Sequence, residues 1–231
     1  MAYKRILTVQ DISCVGQCSM TVALPILSAC GHETCILPTA LLSTHTGGFG
    51  KPAVAHMDEA LPEIIRHWQQ NQISFDAILV GYLGSLAAVR IAEQLLDTML
   101  APGGIGIVDP AMADHGKLYS CFDEQYAHAM GQLCRKADVI LPNITEAAML
   151  SGNEYRENLD EEYVAKLLTA LDHPCVILTG ALMQEKDKYE AVRIAADFTC
   201  RCIRNTAENP AHWYGVKFET ALPDLIRMLG V

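Results

Sequence analysis

Residues able to do chemistry gather in six short stretches, each placed after an apolar run. Gln10-Asp11-Ile12-Ser13-Cys14-Val15-Gly16 follows the first run, and Pro38-Thr39-Ala40-Leu41-Leu42-Ser43-Thr44-His45-Thr46-Gly47-Gly48-Phe49-Gly50-Lys51 the second. The third leads into Gly81-Tyr82-Leu83-Gly84 and the fourth into Asp109-Pro110-Ala111-Met112-Ala113-Asp114-His115-Gly116-Lys117. Pro142-Asn143-Ile144-Thr145-Glu146 and Thr179-Gly180 close the series. One such loop would be turn chemistry, whereas six at one sheet edge predict a ligand site. Three carboxylates, Asp109, Asp114 and Glu146, would repel one another there unless a divalent cation lay between them. Hard oxygen ligands with retained waters suit Mg²⁺ beside a nucleotide phosphate.

Several of these residues admit a plainer reading, which the sequence leaves open. Asn143 and Glu146 have the spacing of a helix cap and its first-turn acid, which would satisfy free backbone N–H groups. His45, in a Thr/Gly loop, reads as a base, a substrate hydrogen-bonder or a surface lid residue. Tyr82 could stack on a planar ring or pack half-buried. Gly47-Gly48-Phe49-Gly50-Lys51-Pro52 is no P-loop, because His45 stands where a glycine is needed and Pro52 where a Mg²⁺-holding Ser/Thr belongs. Gly103-Gly104-Ile105-Gly106 precedes a strand, so no dinucleotide fingerprint is supported.

The elements that must position these residues alternate. Strands are expected at Arg5–Val9, Thr34–Leu37, Ala77–Val80, Ile105–Val108, Val139–Leu141 and Cys175–Leu178, all continuous apolar runs suited to a sheet covered on both faces. Helices are expected at Ser19–Ala29, Ala53–Asn71, Leu86–Leu100, Asp123–Arg135, Glu161–Leu171, Tyr189–Ile203 and Thr220–Leu229. The order predicts an α/β fold, a doubly wound and mostly parallel sheet with helices on both faces, in a single domain with an all-helical C-terminal third.

The chain has 231 residues, 51% hydrophobic and 19% charged, which excludes a disordered or fibrous class. A balance of 17 basic against 27 acidic residues, net −10, predicts no nucleic-acid partner. The first residues carry no signal-peptide pattern and no apolar run reaches membrane-spanning length, so a cytoplasmic protein without a membrane partner is expected. The nine cysteines are scattered, without a CxxC pair, and are expected to be reduced and mostly buried.

The two acidic motifs in order, Asp109 to Gly116 and Pro142 to Glu146, with the Ser43-Thr44-His45-Thr46-Gly47 loop before them, resemble the pyridoxal/pyridoxamine (vitamin B6) kinase branch of the ribokinase-like superfamily. The likeness covers Lys4 to about Lys186 and resumes near Tyr189. It implies a ribokinase-like fold, ATP-dependent phosphorylation of the 5′-hydroxymethyl group of a B6 vitamer, Mg²⁺, a possible monovalent cation and a homodimer. It also implies roles: Asp11, Ser13, Ser43, His45, Thr46 and Tyr82 on the vitamer; Asp109, Asp114, Lys117, Tyr119, Asn143, Thr179 and Gly180 on ATP; Asp109 and Glu146 on the metal. Hydroxymethylpyrimidine kinases of the same superfamily and a non-catalytic vitamer- or nucleotide-binding protein are the alternatives.

The sequence departs from the family in two places. Ala113 stands where the acidic loop often has Gly, which makes a positive φ costlier. More seriously, no Gly-x-Gly-Asp occurs anywhere in the chain. In the family this motif opens a helix whose N–H groups form the anion hole and whose aspartate takes the substrate's hydroxyl proton. The missing strands and helix amount to roughly 40 to 50 residues at ordinary element lengths, and the gap falls near 181–190, as an internal deletion or as residues belonging to a longer chain. The catalytic aspartate is therefore expected to be absent and turnover impaired.

Overall fold

The computed structural model describes residues 4–178, 189–208 and 218–229. Eight strands and eight α-helices occur among them. The strands are β1 (Arg5–Ser13), β2 (Glu33–Leu42), β3 (Val54–His56), β4 (Phe75–Val80), β5 (Leu100–Val108), β6 (Ala113–Asp114), β7 (Lys117–Leu118) and β8 (Val139–Ile140). The helices are α1 (Met20–Ala29), α2 (Leu61–Gln70), α3 (Leu86–Thr98), α4 (Glu124–Cys134), α5 (Ile144–Ser151), α6 (Glu161–Leu171), α7 (Tyr189–Ala207) and α8 (Leu222–Leu229), with a 3₁₀ turn at Phe218–Thr220.

Six strands form one sheet in the order β3-β2-β1-β4-β5-β8, parallel except for the antiparallel edge strand β3. β1 lies between β2 and β4, so the chain winds one way from it and then the other. That reversal opens a crevice at the carboxyl ends of β1 and β4, where ligands of such sheets bind. Buried Leu7, Val9, Leu37, Ile78, Val80 and Val108 make the sheet's share of the main core, which α3 and α4 close with Leu95, Leu96, Met130 and Leu133.

Several boundaries differ from the sequence expectation. The first two strands run four and five residues further than expected, carrying Asp11 and Ser13 within β1. The β1–β2 register slips between Gln10, opposite Pro38, and Ile12, opposite Leu41, so β2 holds one extra residue. Proline, which cannot donate to a ladder, fits such a bulge, and bulges re-aim neighbouring side chains. The helix expected over Ala53–Asn71 is a strand, a turn and a shorter helix. Pro62 explains the difference: proline is tolerated in a helix's first turn but not inside it, so the helix starts at Leu61.

The expected strand Cys175–Leu178 makes one parallel bridge, Ile140 to Val176. α5 was expected only as a cap, and it is a complete helix ended by Gly152 at φ 68°. α7, the 3₁₀ turn and α8 fit the all-helical expectation for the C-terminal third as far as that third is described. Thr179, Gly180 and the join at 181–188 lie outside the described residues.

All nine cysteines are free thiols, but only Cys134 and Cys202 are buried, which corrects the expectation of mostly buried thiols. Cys200 is exposed beside buried Cys202, as i,i+2 residues on a helix should be. No described helix is long and apolar enough to cross a membrane.

Candidate active site

A cavity of about 210 Å³ opens at the crevice, lined by Gln10, Asp11, Ser13, Cys18, Ser19, Leu42, His45, Thr46, Gly81, Tyr82, Asp109, Ala111 and Tyr119. Three strand ends meet here around one backbone carbonyl. Tyr82 O accepts from Asp11 N (3.2 Å) and from Thr39 Oγ1 (3.2 Å), tying the bulged part of β1 and β2 to the segment after β4. Asp11 is 3% exposed, and Ser13 Oγ donates to its Oδ2 at 3.1 Å. Burial raises the Asp11 carboxyl above its ordinary range, opposed by the Ser19 and Ser13 hydroxyls, its own backbone amide and nearby His45.

The Thr/Gly loop reaches the cavity through a tight contact. His45 N donates to Val15 O at 2.7 Å, and its Nδ1 accepts from Gly47 N at 3.2 Å. Gly16, at φ 84°, makes this approach possible, since a Cβ there would lie 2.8 Å from His45 Cβ. Across the cavity stands an aromatic wall. Tyr82 packs against Phe122 at 5.5 Å, Phe122 stacks on Tyr126 at 3.7 Å, and Tyr119 lies 6.2 Å from Phe122. The Tyr82 hydroxyl lies 3.5 Å from Cys121 Sγ, and burial chiefly raises its phenol, with the thiol adding to the effect. Tyr119 is raised to about 12 by burial and then by the carboxylates of Glu146, Asp114 and Asp109.

The three acidic residues expected around one cation separate. Asp109 lines the cavity; burial pushes its carboxyl up to about 6, and no hydrogen bond to that carboxylate forms among the described residues. Asp114 is exposed on the β6–β7 hairpin, its Oδ1 accepting from His115 N at 2.8 Å. Glu146 is 2% exposed and works as an internal anchor: Oε1 accepts from Met112 N (3.0 Å) and Ala113 N (3.3 Å), and Oε2 from Asn143 N (2.9 Å). Burial still raises it to about 7 against those amides. Among the described residues no group of three His, Cys, Asp or Glu is arranged to hold a metal. The three-carboxylate cluster is thus corrected to one free carboxylate, Asp109, near one held by three amides.

Asn143 realises the capping reading in full. Its Oδ1 accepts from Glu146 N at 2.9 Å while Nδ2 donates to Ala113 O at 2.8 Å, so the cap also clamps the acidic loop onto α5. Thr145 Oγ1 adds a third tie by accepting from Gly116 N at 3.0 Å. Ala113 carries no left-handed φ; His115 (50°) and Gly116 (75°) make the turn instead, so alanine at 113 costs nothing there.

Of the expected substrate residues, Asp11, Ser13, His45, Thr46 and Tyr82 meet at the cavity. Ser43 does not: it is exposed, with its hydroxyl accepting from Ala53 N at 3.0 Å, and it pins β2 to the chain entering β3. Of the expected ATP residues, Asp109 and Tyr119 line the cavity, Asp114 and Lys117 are exposed on the hairpin beside it, and Asn143 lies in the cap. Gln10 and Gly81 fall within the expected stretches without a role of their own, and Cys18 and Ser19 were missed. Ser19 carried a signal only in hindsight: it has a left-handed φ of 52° at the start of α1 and bridges Ile12.

A mostly parallel sheet with its cavity at the switch point, walled by aromatic rings and floored by a buried carboxylate, defines a ribokinase-like α/β protein. The chain matches the phosphomethylpyrimidine kinase family model over residues 26–211. The structure of pyridoxal kinase from Lactobacillus plantarum superposes with a TM-score of 0.82 at 30% identity, over 98% of both chains. A Bacteroides thetaiotaomicron protein described as a phosphomethylpyrimidine kinase, in a crystal form with pyridoxal, gives 0.83 at 30% identity over 97% of this chain and 96% of that one. Pyridoxal kinase from Arabidopsis thaliana is 24% identical over 76% of this chain, which spans 58% of that protein's length. The chain belongs to the phosphomethylpyrimidine kinase family, on its pyridoxal kinase-like side.

Proposed function

We propose that this chain is a B6-vitamer kinase by descent: it binds a vitamer in the cavity between β1 and β4 and would transfer phosphate from ATP to its 5′-hydroxymethyl group. The observation that carries this reading is the pairing of a buried Asp11–Ser13 polar edge with the Tyr82 wall in one cavity of about 210 Å³. A flat heteroaromatic ring with polar substituents on one edge needs those two features together. The likeness to a protein crystallised with pyridoxal supports the same ligand class.

Mg²⁺, when bound, would neutralise charge on the nucleotide's phosphates. The donor set fits it: Asp109 offers an unpaired carboxylate, and Mg²⁺ is commonly held by one or two carboxylates plus phosphates and waters. Glu146, its oxygens occupied by three amides, would act through water. Exposed Lys117 is the cation available beside the acidic loop for a phosphate. The whole chain is read as one ribokinase-like unit, cytoplasmic, and a homodimer as its relatives' branch implies.

Turnover is a separate matter from binding. Phosphoryl transfer is mostly positioning and charge stabilisation, and loss of one anion-hole donor alone typically costs about 10² to 10³ in rate. Lacking Gly-x-Gly-Asp, the chain is proposed to bind vitamers and to transfer phosphate poorly. The second reading, a hydroxymethylpyrimidine kinase, is favoured by the family's name. Binding titrations with the three vitamers and with hydroxymethylpyrimidine, followed by ATP turnover, decide among them. Tighter binding of hydroxymethylpyrimidine would overturn the vitamer reading, and full-rate turnover would overturn the impairment.

A further inference from the structure

The wall residue Tyr82 belongs to no strand or helix; residues 81–84 run between β4 and α3. Its place therefore depends on what holds the backbone on either side. Before the ring's wall turns away, the Tyr82 carbonyl accepts from Asp11 N at 3.2 Å and from Thr39 Oγ1 at 3.2 Å. Beyond it, Ser85 caps α3, its Oγ accepting from Ala88 N at 3.0 Å and donating to Asp58 Oδ1 at 2.7 Å. Gly84, at φ 78°, bends the chain between these two pins. Thr39 stands in the bulge: Pro38 lies opposite Gln10 and Leu41 opposite Ile12, so Thr39 and Ala40 share the place opposite Asp11. Thr39 is fully buried and does not line the cavity. Its carbonyl accepts from Met57 N at 3.0 Å, which fixes it to the chain leaving β3. A buried hydroxyl needs a partner, and this one takes the same carbonyl that holds Asp11.

Resting on the vitamer reading, we infer that Thr39 is a positioning residue for ring binding: its hydroxyl, through the Tyr82 carbonyl, sets the Asp11–Ser13 edge against the Tyr82 wall. The two features that must grip one ring come from different parts of the chain, β1 and the segment after β4. A ring held by its edge and its face tolerates little change in their separation, so such contacts need support from behind. Asp11 N alone would leave the Tyr82 peptide one bond about which to swing. The second donor, coming from β2, fixes its direction.

Calorimetric titration of the full chain with pyridoxine tests this in the wild type, in Thr39→Val and in Thr39→Ser. Thr39→Val keeps the side chain's shape and removes the hydroxyl, while the Tyr82 carbonyl keeps its bond from Asp11, so no buried acceptor is orphaned. Pyridoxine affinity is expected to fall about five- to tenfold, one hydrogen bond's worth. Thr39→Ser keeps the hydroxyl and is expected to hold affinity within about twofold, although it loses a buried methyl. Thermal unfolding of the same proteins separates positioning from a merely structural role. Thr39→Ser should melt no higher than Thr39→Val, so that affinity and stability rank the two variants in opposite orders. An affinity that Thr39→Val leaves unchanged, or that falls equally in both variants, would overturn the positioning role while leaving vitamer binding intact. Absence of pyridoxine binding by the wild type would overturn the vitamer reading itself.

Discussion

Replacing Asp109 by asparagine should make the protein more stable at pH 8 than the wild type, by a margin that closes toward pH 5. Burial holds the Asp109 carboxyl up at about 6, so the folded state prefers its protonated form. Its contribution to stability is therefore full below the ordinary carboxylate range and lost as pH rises through about 6. Asparagine has no proton to lose. Thermal unfolding of both proteins from pH 5 to pH 8 reads the difference, and a margin that widens on acidification would refute the assignment. A charge kept at a cost in stability fits a site that uses it. At this scale the sequence marked most of the cavity residues by type, because carboxylates, hydroxyls and a tyrosine at strand ends are visible without coordinates. It offered Glu146 both as a helix-cap acid and as a metal ligand and could not choose between them, whereas the structure shows Glu146 held by three amides and Asp109 accepting none. Gln10 received no role and Ser19 was missed for a related reason: a buried glutamine and a left-handed serine look like filler until the neighbouring strand is in place.

Gly103 and Gly104, dismissed in the sequence as a failed nucleotide fingerprint, carry a structural task at the scale of β5. Gly103 holds φ 77°, and a Cβ on Gly104 would lie 2.9 Å from Ala101 O and 3.0 Å from Phe75 O, both backbone atoms that cannot swing away. The β4–β5 register shifts at the same place, between Phe75 and Ala77. Gly104→Ala is accordingly expected to cost about 2–3 kcal/mol, in the range of strained-backbone substitutions. Urea unfolding measures it, and a loss below about 0.5 kcal/mol, the surface-substitution level, would contradict the close approach. Strand existence and order were legible from apolar runs. The extension of β1 and β2 was not, because Gln10, Asp11 and Pro38 look like a loop. A bulge absorbs the proline and lets the ladder continue into the site.

At the scale of the molecule, burial among the described residues falls into three clusters. The main core runs beneath the sheet; a second joins α5 and α6 with Leu178; a third is made by Phe198 and Cys202 of α7, Phe218, Ala221 and Leu225, packed on Val22 and Ile26 of α1. Arg201 and Arg227 both pair with Asp224, and Gln17 with Glu219, so polar ties reinforce this C-terminal cap at its rim. The sequence foresaw helices here but not what they cover, because an amphipathic face does not name its partner. None of the cap's described residues lines the cavity. Leu225→Ala, which empties a buried position at the centre of the third cluster, is expected to cost about 2–4 kcal/mol. The loss should be local. Hydrogen exchange should speed in α7 and α8 while the amides of β1, β4 and β5 keep their protection, since small clusters open below the global unfolding free energy. Vitamer affinity should stay within about threefold of wild type, well under one hydrogen bond's worth. Uniform loss of protection across the sheet would instead join the cap to the main core as one cooperative unit, and a large fall in affinity would place the cap within reach of the site.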